Sequence, residues 1–399
     1  MRSITKMLIR IVAFFALIGL KILSPIIRVE LCIVAFHRYG HLALEPEIFL
    51  GEKEIGNRGV KRVGFPIRVQ WWSFGPKRSQ ANHFLVSKWK KVVCALPSWW
   101  IDALHIAGKS VRFLQLDEPK MSVRGSCNSL DQTSAHLHMT NAEIERGRAA
   151  LPGLGVNPDK PYVCLVVRDG GHYASLGESE SSGYSFMNFE IANFEQTALS
   201  LVRRGYQVVR MGAGSEIPFG ANHPGIVDYA NSPNRSAFLD VFIAATCSFA
   251  VSTQTGPDAV CLAFRRPVCY IDVTRFSQFF FGTKLAWWNP AELWQGDSRL
   301  TLNEMLSSPI FWIKDPNDFI RLGIRQIQSD HEKINRMVTV FSEAFERGLT
   351  ETNEESMFGR GVQSFISGAI NERCAMEFGE IRAVINPAVM NENGFSFSF

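Results

Sequence analysis

Two arginines stand directly after apolar runs in the second half of the chain. Arg168 follows Tyr162–Val167 and Arg210 follows Tyr206–Val209. A guanidinium can fork onto two phosphate oxygens at once. Arg168 leads into Asp169-Gly170-Gly171, and Arg210 into Met211-Gly212-Ala213-Gly214. Three further apolar runs end on Asp228-Tyr229, on Thr253-Gln254-Thr255-Gly256-Pro257-Asp258, and on Asp272 with Thr274. Such carboxylates and hydroxyls can hydrogen-bond ribose or sugar hydroxyls. The set suits an anionic, hydroxyl-rich ligand such as a sugar nucleotide. Gly256 permits close backbone approach, and Pro257 suits the first position of a helix whose N–H groups would meet a diphosphate. The same residues also read as a plain capped helix start. Singly, Arg168 or Arg210 reads as a surface ion pair and Asp228 as a turn cap. Their coincidence at five strand ends is what favours a ligand.

In the first half, His37-Arg38-Tyr39-Gly40-His41 follows another apolar run. Histidine titrates near neutrality and can act as a general base. His41, ahead of His37, is the candidate for deprotonating an acceptor hydroxyl, with Arg38 and Gly40 on the acceptor side. Each histidine taken alone reads more readily as a satisfied, partly buried loop residue. The pairs Trp71-Trp72, Trp99-Trp100 and Trp287-Trp288 read as core or interface. The chain contains no Asp-x-Asp pair, P-loop, CxxC or HExxH motif, and no GxGxxG follows a strand. No cofactor and no metal is called for. Arginines and a helix N-terminus can hold a diphosphate without one.

Those residues require a scaffold. Strands are expected at Tyr162–Val167, Tyr206–Val209, Gly225–Val227, Ser248–Ser252 and Pro267–Ile271. They alternate with helices at Phe189–Arg204, Ser236–Thr246 and Pro257–Phe264. That alternation predicts a parallel sheet covered on both faces. Upstream, strands are expected at Arg28–Phe36, Arg62–Gln70 and Lys109–Leu116, a helix at Ala81–Ala95 and a loop over Lys120–His138. A capping box at Thr140 and Glu143 opens a helix reaching about Leu151. The dense punctuation Pro152-Gly153-Leu154-Gly155 predicts a linker. The domains so read are 1–27, 28–155, 156–345 and a C-terminal extension, 346–399.

At the N-terminus, Ile11–Leu20 is an apolar run between Arg10 and Lys21. As a helix it places Ser3, Lys6, Arg10, Ala13, Leu17, Lys21 and Ser24 on one narrow, mostly polar face. That pattern suits a helix lying on an anionic membrane surface, dispensable for folding. A tilted span, a signal peptide and a core helix are the other readings. The chain of 399 residues is 46% hydrophobic and 20% charged with a net charge of +4. It is long enough for two domains and lacks the concentrated basic excess of a nucleic-acid binder. Eight cysteines without a CxxC pair, several inside apolar runs, suit a reducing compartment.

The segments YVCLVVRDGGHY, YSFMNFEIANFEQTALSLVRRGYQVVRMG, GIVDYANSPNRSAFLDVFIAATCSFAVSTQTGPDAVCLAF and HRYGHLALEPEIFL resemble a bacterial glycosyltransferase family of surface-carbohydrate loci. That family is distantly similar to fucosyltransferase-like enzymes of the GT-B type. The resemblance runs from about Arg28 to Phe341. It implies an α/β fold of two Rossmann-like domains facing a cleft, and the apolar N-terminal helix stands ahead of the stretch it covers. It also implies a nucleotide-sugar donor site in the C-terminal half and a glycan or lipid-linked acceptor on the N-terminal side. The setting implied is the cytoplasmic face of the inner membrane. By motif position the donor residues are Arg168, Asp169, Asn188, Arg210, Gly212, Asp228, Thr255 and Gly256; Tyr229 and Thr253 stand beside them. The sequence departs from the family at Phe186-Met187-Asn188, which lacks the arginine common before the long helix. The alternatives are a nucleotide-sugar epimerase on the same fold, or a pseudo-transferase partner subunit without catalysis.

Overall fold

The structure is a computed structural model that describes residues 2–57, 66–121, 128–169, 188–215, 217–306, 309–313, 315, 317–349 and 383–386. The chain divides into two compact units, Met1–Ser122 and Val123–Phe399.

The first unit runs α1 (Arg2–Ile22), β1 (Ile27–Ile33), α2 (Tyr39–Asn57), β2 (Ile67–Ser73), α3 (His83–Val92) and α4 (Ser98–Ser110). β1 and β2 pair in parallel, from Ile27 against Ile67 to Ile33 against Ser73. Single bridges, Glu30 to Asp117 and Trp72 to Ala95, extend this pair on either side. The third expected strand, Lys109–Leu116, is instead the end of α4 followed by a 3-10 turn at Arg112–Leu114. α4 buries Ile101, Leu104, Ala107 and Gly108. That spacing places them on one helical face, and the helical period prevailed over the local strand-like run. Among the described residues this unit therefore holds a two-stranded sheet, short of the Rossmann-like domain anticipated.

α1 is part of this unit's core. Ala13 and Leu17 are buried among Val29, Leu31, Ile101 and Leu104. They belong to the helix face read as polar, so that face abuts the protein. The expectation that the segment is dispensable for folding is corrected accordingly. No helix among the described residues is long and apolar enough to cross a membrane.

Among the described residues the second unit is built on a sheet of seven strands in the order β12-β8-β7-β6-β3-β4-β5. Every pairing in it is parallel. Its members are β3 (Tyr162–Val166), β4 (Gln207–Arg210), β5 (Ile226–Val227), β6 (Ala250–Ser252), β7 (Val268–Val273), β8 (Ala286–Pro290) and β12 (Val384–Ile385). β3, β4, β6, β7 and β8 are buried at every position. Strands covered on both faces read as continuous apolar runs, which is why their sequences do not alternate. The segment 346–399 is no mere appendage, because β12 supplies the outer strand beside β8. A second, antiparallel sheet joins β9 (Glu292–Gln295) to β10 (Ser298–Arg299) and β11 (Ile324–Ile327).

Among the described residues the helices of this unit are α5 (Ser129–Gln132), α6 (Asn141–Ala150), α7 (Glu195–Arg203), α8 (Ala237–Thr246), α9 (Gly256–Ala263), α10 (Leu302–Leu306), α11 (Asn317–Arg321) and α12 (His331–Glu346). α12 lays Ile334, Met337, Val338 and Phe341 against Val163, Leu165, Val208, Phe249 and Val251. α6 opens on the predicted capping box: the Thr140 amide donates to Glu143 at 2.8 Å, and the Glu143 amide to Thr140 Oγ1 at 3.3 Å. At Gly147 a Cβ would sit 2.2 Å from the Phe242 ring of α8, so only glycine allows this approach. α5 and α6 precede the expected linker, yet they fall within the second unit.

Candidate functional site

In the large sheet the chain leaves β3 toward β4 and β5, then returns on the other side of β3 as β6, β7 and β8. Strand order thus reverses between β3 and β6. Just outside the carboxyl ends of such a pair the two loops part and open a crevice. Arg168 and Asp169 follow β3, and Thr253, Gln254, Thr255 and Gly256 follow β6. The sheet itself joins the two turns: the Arg168 amide donates to Thr253 Oγ1 at 2.9 Å. Thr253 is buried, and its own amide donates to the Val166 carbonyl at 3.1 Å.

Gln254 holds a left-handed conformation with φ of 58°. A non-glycine residue there is strained, and such strain gathers at ligand sites. Its Nε2 donates to the Arg275 carbonyl at 3.1 Å. That bond fixes the amide orientation and leaves buried Oε1 with no hydrogen-bond partner. A buried acceptor in this condition is an opening for a ligand donor.

The helix start at Thr255-Gly256 is only partly the anion site read from sequence. Asp258, in the first turn of α9, bends back so that Oδ2 accepts from the Thr255 amide at 2.8 Å and the Ser252 hydroxyl at 2.6 Å. The protein's own carboxylate therefore closes part of the helix N-terminus. Burial pushes the Asp258 carboxyl up to about 6, against the pull of those hydrogen bonds. Asp272, beyond β6 on β7, repeats the pattern. The pairing slips between Tyr270 and Val273, and Asp272 takes a φ of 49°. It is thereby aimed at Ser329, whose amide and hydroxyl donate to it at 2.8 and 2.7 Å. Burial raises its carboxyl to about 6 as well.

On the other side of β3, Arg210 is wholly buried at the end of β4. Its Nη2 reaches Asp169 at 3.0 Å, and its Nη1 reaches the Ile217 carbonyl at 2.6 Å and Asp228 at 3.5 Å. The Asp228 Oδ2 also accepts from the Phe219 amide at 3.0 Å and from Asn231 at 2.8 Å. Arg210 thus ties the ends of β3, β4 and β5 into one network. The expectation that it forks onto a diphosphate is corrected: its two terminal nitrogens hold protein oxygens, and it shapes the rim. Gly212 follows at φ of 154°, where a Cβ would come 3.3 Å from Ala230.

Tyr229 is a second correction. It is fully buried and its hydroxyl donates to Asp240 of α8 at 2.8 Å, so it serves the core rather than a ligand. Asn188 lies near the crevice loop, its carbonyl accepting from Gln328 Nε2. Gly170, Gly171, Phe186 and Met187 lie outside the described residues. Sequence reading missed Gln328 and Ser329 altogether, because they follow β11 of the other sheet. No motif signals that placement.

In the first unit, His37 and Arg38 are exposed before α2, and Gly40 and His41 lie in its first turn. His41 Nδ1 meets Glu45 Oε1 at 2.8 Å, one helical turn on. The carboxylate orients the imidazole, leaving Nε2 to act as a base. His37 makes an edge-on contact with Phe36, ring centres 5.7 Å apart. Among the described residues, no cluster of three His, Cys, Asp or Glu is arranged to hold a metal ion.

No family profile matches the chain, and no curated protein matches it in sequence. Solved structures give loose superpositions. An ADP-heptose lipopolysaccharide heptosyltransferase II of E. coli aligns over 63% of this chain and 86% of its own at 12% identity, with a TM-score of 0.37. A family 9 glycosyl transferase from Veillonella parvula aligns over 74% and 95% at 9% identity, with a TM-score of 0.42. MnaA of S. aureus, solved with UDP, aligns over 62% and 79% at 8% identity, with a TM-score of 0.28. Likeness this slight assigns neither fold nor activity to the chain.

Proposed function

We propose that the crevice between β3 and β6 binds a nucleotide-diphosphate sugar and that the chain is a glycosyltransferase. The acceptor in this reading is a glycan or a lipid-linked sugar of a surface polysaccharide. The observation that carries the reading is the meeting, where strand order reverses, of Arg168 with a strained turn. That turn presents the buried, unpartnered Gln254 Oε1 beside Gly256. Arg168 supplies positive charge for the diphosphate leaving group, where negative charge develops in the transition state. The Gln254 oxygen accepts from a ribose, sugar or base donor. His41, oriented by Glu45, is the candidate base for the acceptor hydroxyl. The resemblance of these segments to surface-carbohydrate glycosyltransferases supports the same assignment.

Calorimetric titration with UDP, GDP and ADP tests it, with and without chelator. Binding of at least one is expected to persist in chelator, because the charge comes from an arginine. Arg168→Lys keeps the charge and loses the planar fork, so affinity should fall about ten- to a hundredfold. Wild-type affinity in that variant would remove Arg168 from the site. Incubation with a panel of nucleotide sugars then separates reaction classes. Slow donor hydrolysis marks a transferase, an isomeric nucleotide sugar an epimerase, and neither binding nor turnover a pseudo-transferase.

A further inference from the structure

The outward face of α1 is apolar and unpartnered. Ile4, Met7, Leu8, Ile11, Val12, Phe15 and Ile22 are all exposed, Phe15 at 66% and Ile22 at 73%. They lie opposite Ala13 and Leu17, which hold the helix to the first unit. The patch continues beyond the helix in Leu23 and Ile26, and in Phe113, which is 72% exposed on the 3-10 turn after α4. Single exposed apolar residues are ordinary, but a contiguous face of large ones marks a docking surface.

The charges around the face name its occupant. Before Glu30 the chain carries Arg2, Lys6, Arg10, Lys21 and Arg28 and no acid. Arg10 and Lys21 follow one edge of the apolar stripe. The Lys21 ammonium lies 4.5 Å from the centre of the Phe113 ring, which joins the helix edge to the neighbouring turn. Glu30 is buried and held by Lys53 and Arg68, so it does not offset these cations outside. Two exposed acids of this unit are engaged, Asp117 by Arg28 at 3.4 Å and Glu118 by His105, while Asp102 on α4 is exposed as well. At the C-terminal end of α1 a small cleft of about 90 Å³ opens between Lys21, Ser24 and Arg28 on one side and Leu114 and Asp117 on the other.

We propose that this composite face lies in the surface of an anionic lipid bilayer. α1 rests in the plane of the membrane with Phe15, Ile22 and Phe113 among the upper acyl chains. Arg10 and Lys21 meet lipid phosphates at the rim. The helix is held from below by the protein, which distinguishes this from a free amphipathic tail. Exposed large apolar side chains and flanking cations are the two contributions such interfacial binding needs. The inference is independent of whether the second unit binds a nucleotide.

The test is co-sedimentation of the full chain with vesicles of phosphatidylcholine alone and of phosphatidylcholine mixed with phosphatidylglycerol. Binding is expected to the mixed vesicles, to weaken with added salt, and to be released by alkaline carbonate. The double variant Phe15→Glu with Ile22→Glu should bind at least about tenfold more weakly, with an unchanged melting temperature. Arg10→Gln with Lys21→Gln should lose the preference for anionic vesicles. Absence of binding to either vesicle, or equal binding by the glutamate variant, overturns the proposal. So does retention after carbonate, which would mean insertion across the bilayer. So does an oligomer that the glutamate variant dissolves while vesicle binding is absent, since a second copy would then be what covers the face.

Discussion

Arg168 and Arg210 have the same sequence context, an arginine at the end of an apolar run. Arg210 is buried between Asp169 and Asp228. Arg210→Met leaves two carboxylates facing each other without their cation. It should cost about 3 kcal/mol or more in denaturant unfolding. Arg168→Lys should leave that midpoint nearly unchanged and act on ligand affinity. The buried carboxyls make a separate prediction. Asp258 and Asp272 are both raised to about 6 from an ordinary value of 3.8. A carboxyl raised by folding favours the folded state fully below its unfolded value, and the advantage is lost as pH climbs through its folded value. Stability should therefore decline between about pH 4 and pH 6 by a few kcal/mol for the two together. Asp258→Asn, which cannot titrate, should flatten that slope. An unchanged slope in urea titrations across this range would show that Asp258 does not titrate there.

Among the elements, α1 illustrates how one helix can serve the core and the surface on opposite faces. Leu17 is buried and Phe15 is exposed, two residues apart. Leu17→Ala should destabilise the protein by about 2–5 kcal/mol, whereas Phe15→Ser should scarcely move the melting temperature. Equal effects of the two would contradict the packing. α6 and α8 depend on a missing side chain. Gly147→Ala gains helix propensity of about 1 kcal/mol, but its Cβ would drive into the Phe242 ring, which itself stacks on Phe238 at 5.8 Å. Overpacking in a closed core costs about 1–3 kcal/mol, so a net loss of stability is expected. Calorimetric melting of this variant against wild type decides which term wins.

For the whole molecule, the second unit carries the seven-stranded sheet, the strand-order reversal and every strand-end residue assigned to the donor. A chain of residues 123–399 should fold cooperatively and keep the nucleoside diphosphate affinity of the full protein. It should turn over no donor, since His41 belongs to the first unit. A chain ending before Val384 should be less stable, because β8 would lose its outer partner and the Met337 carbonyl its hydrogen bond from Asn386 at 2.8 Å. Soluble, folded protein with full donor turnover from the 123–399 chain would refute the assignment of the base.

Local sequence signals placed five of the seven strands of the large sheet and the helices between them, but not β8, β12 or α12. Local signals suffice for strands buried on both faces, such as Tyr162–Val166, and for helix starts marked by Ser236 or by Thr140 with Glu143. From the alternation of such elements a parallel sheet follows, and from the sheet the rim where Arg168, Thr253 and Gly256 gather. Which polar groups at that rim serve the protein was settled by long-range packing. Arg210 and Tyr229 turned inward because carboxylates distant in sequence, Asp169 with Asp228 and Asp240, were brought within reach. Asp258 closed its own helix start. The same holds for α1, whose periodicity was legible but whose buried face was not. An amphipathic pattern gives two faces, and which one meets protein depends on α4 and β1, whose arrival no local spacing encodes.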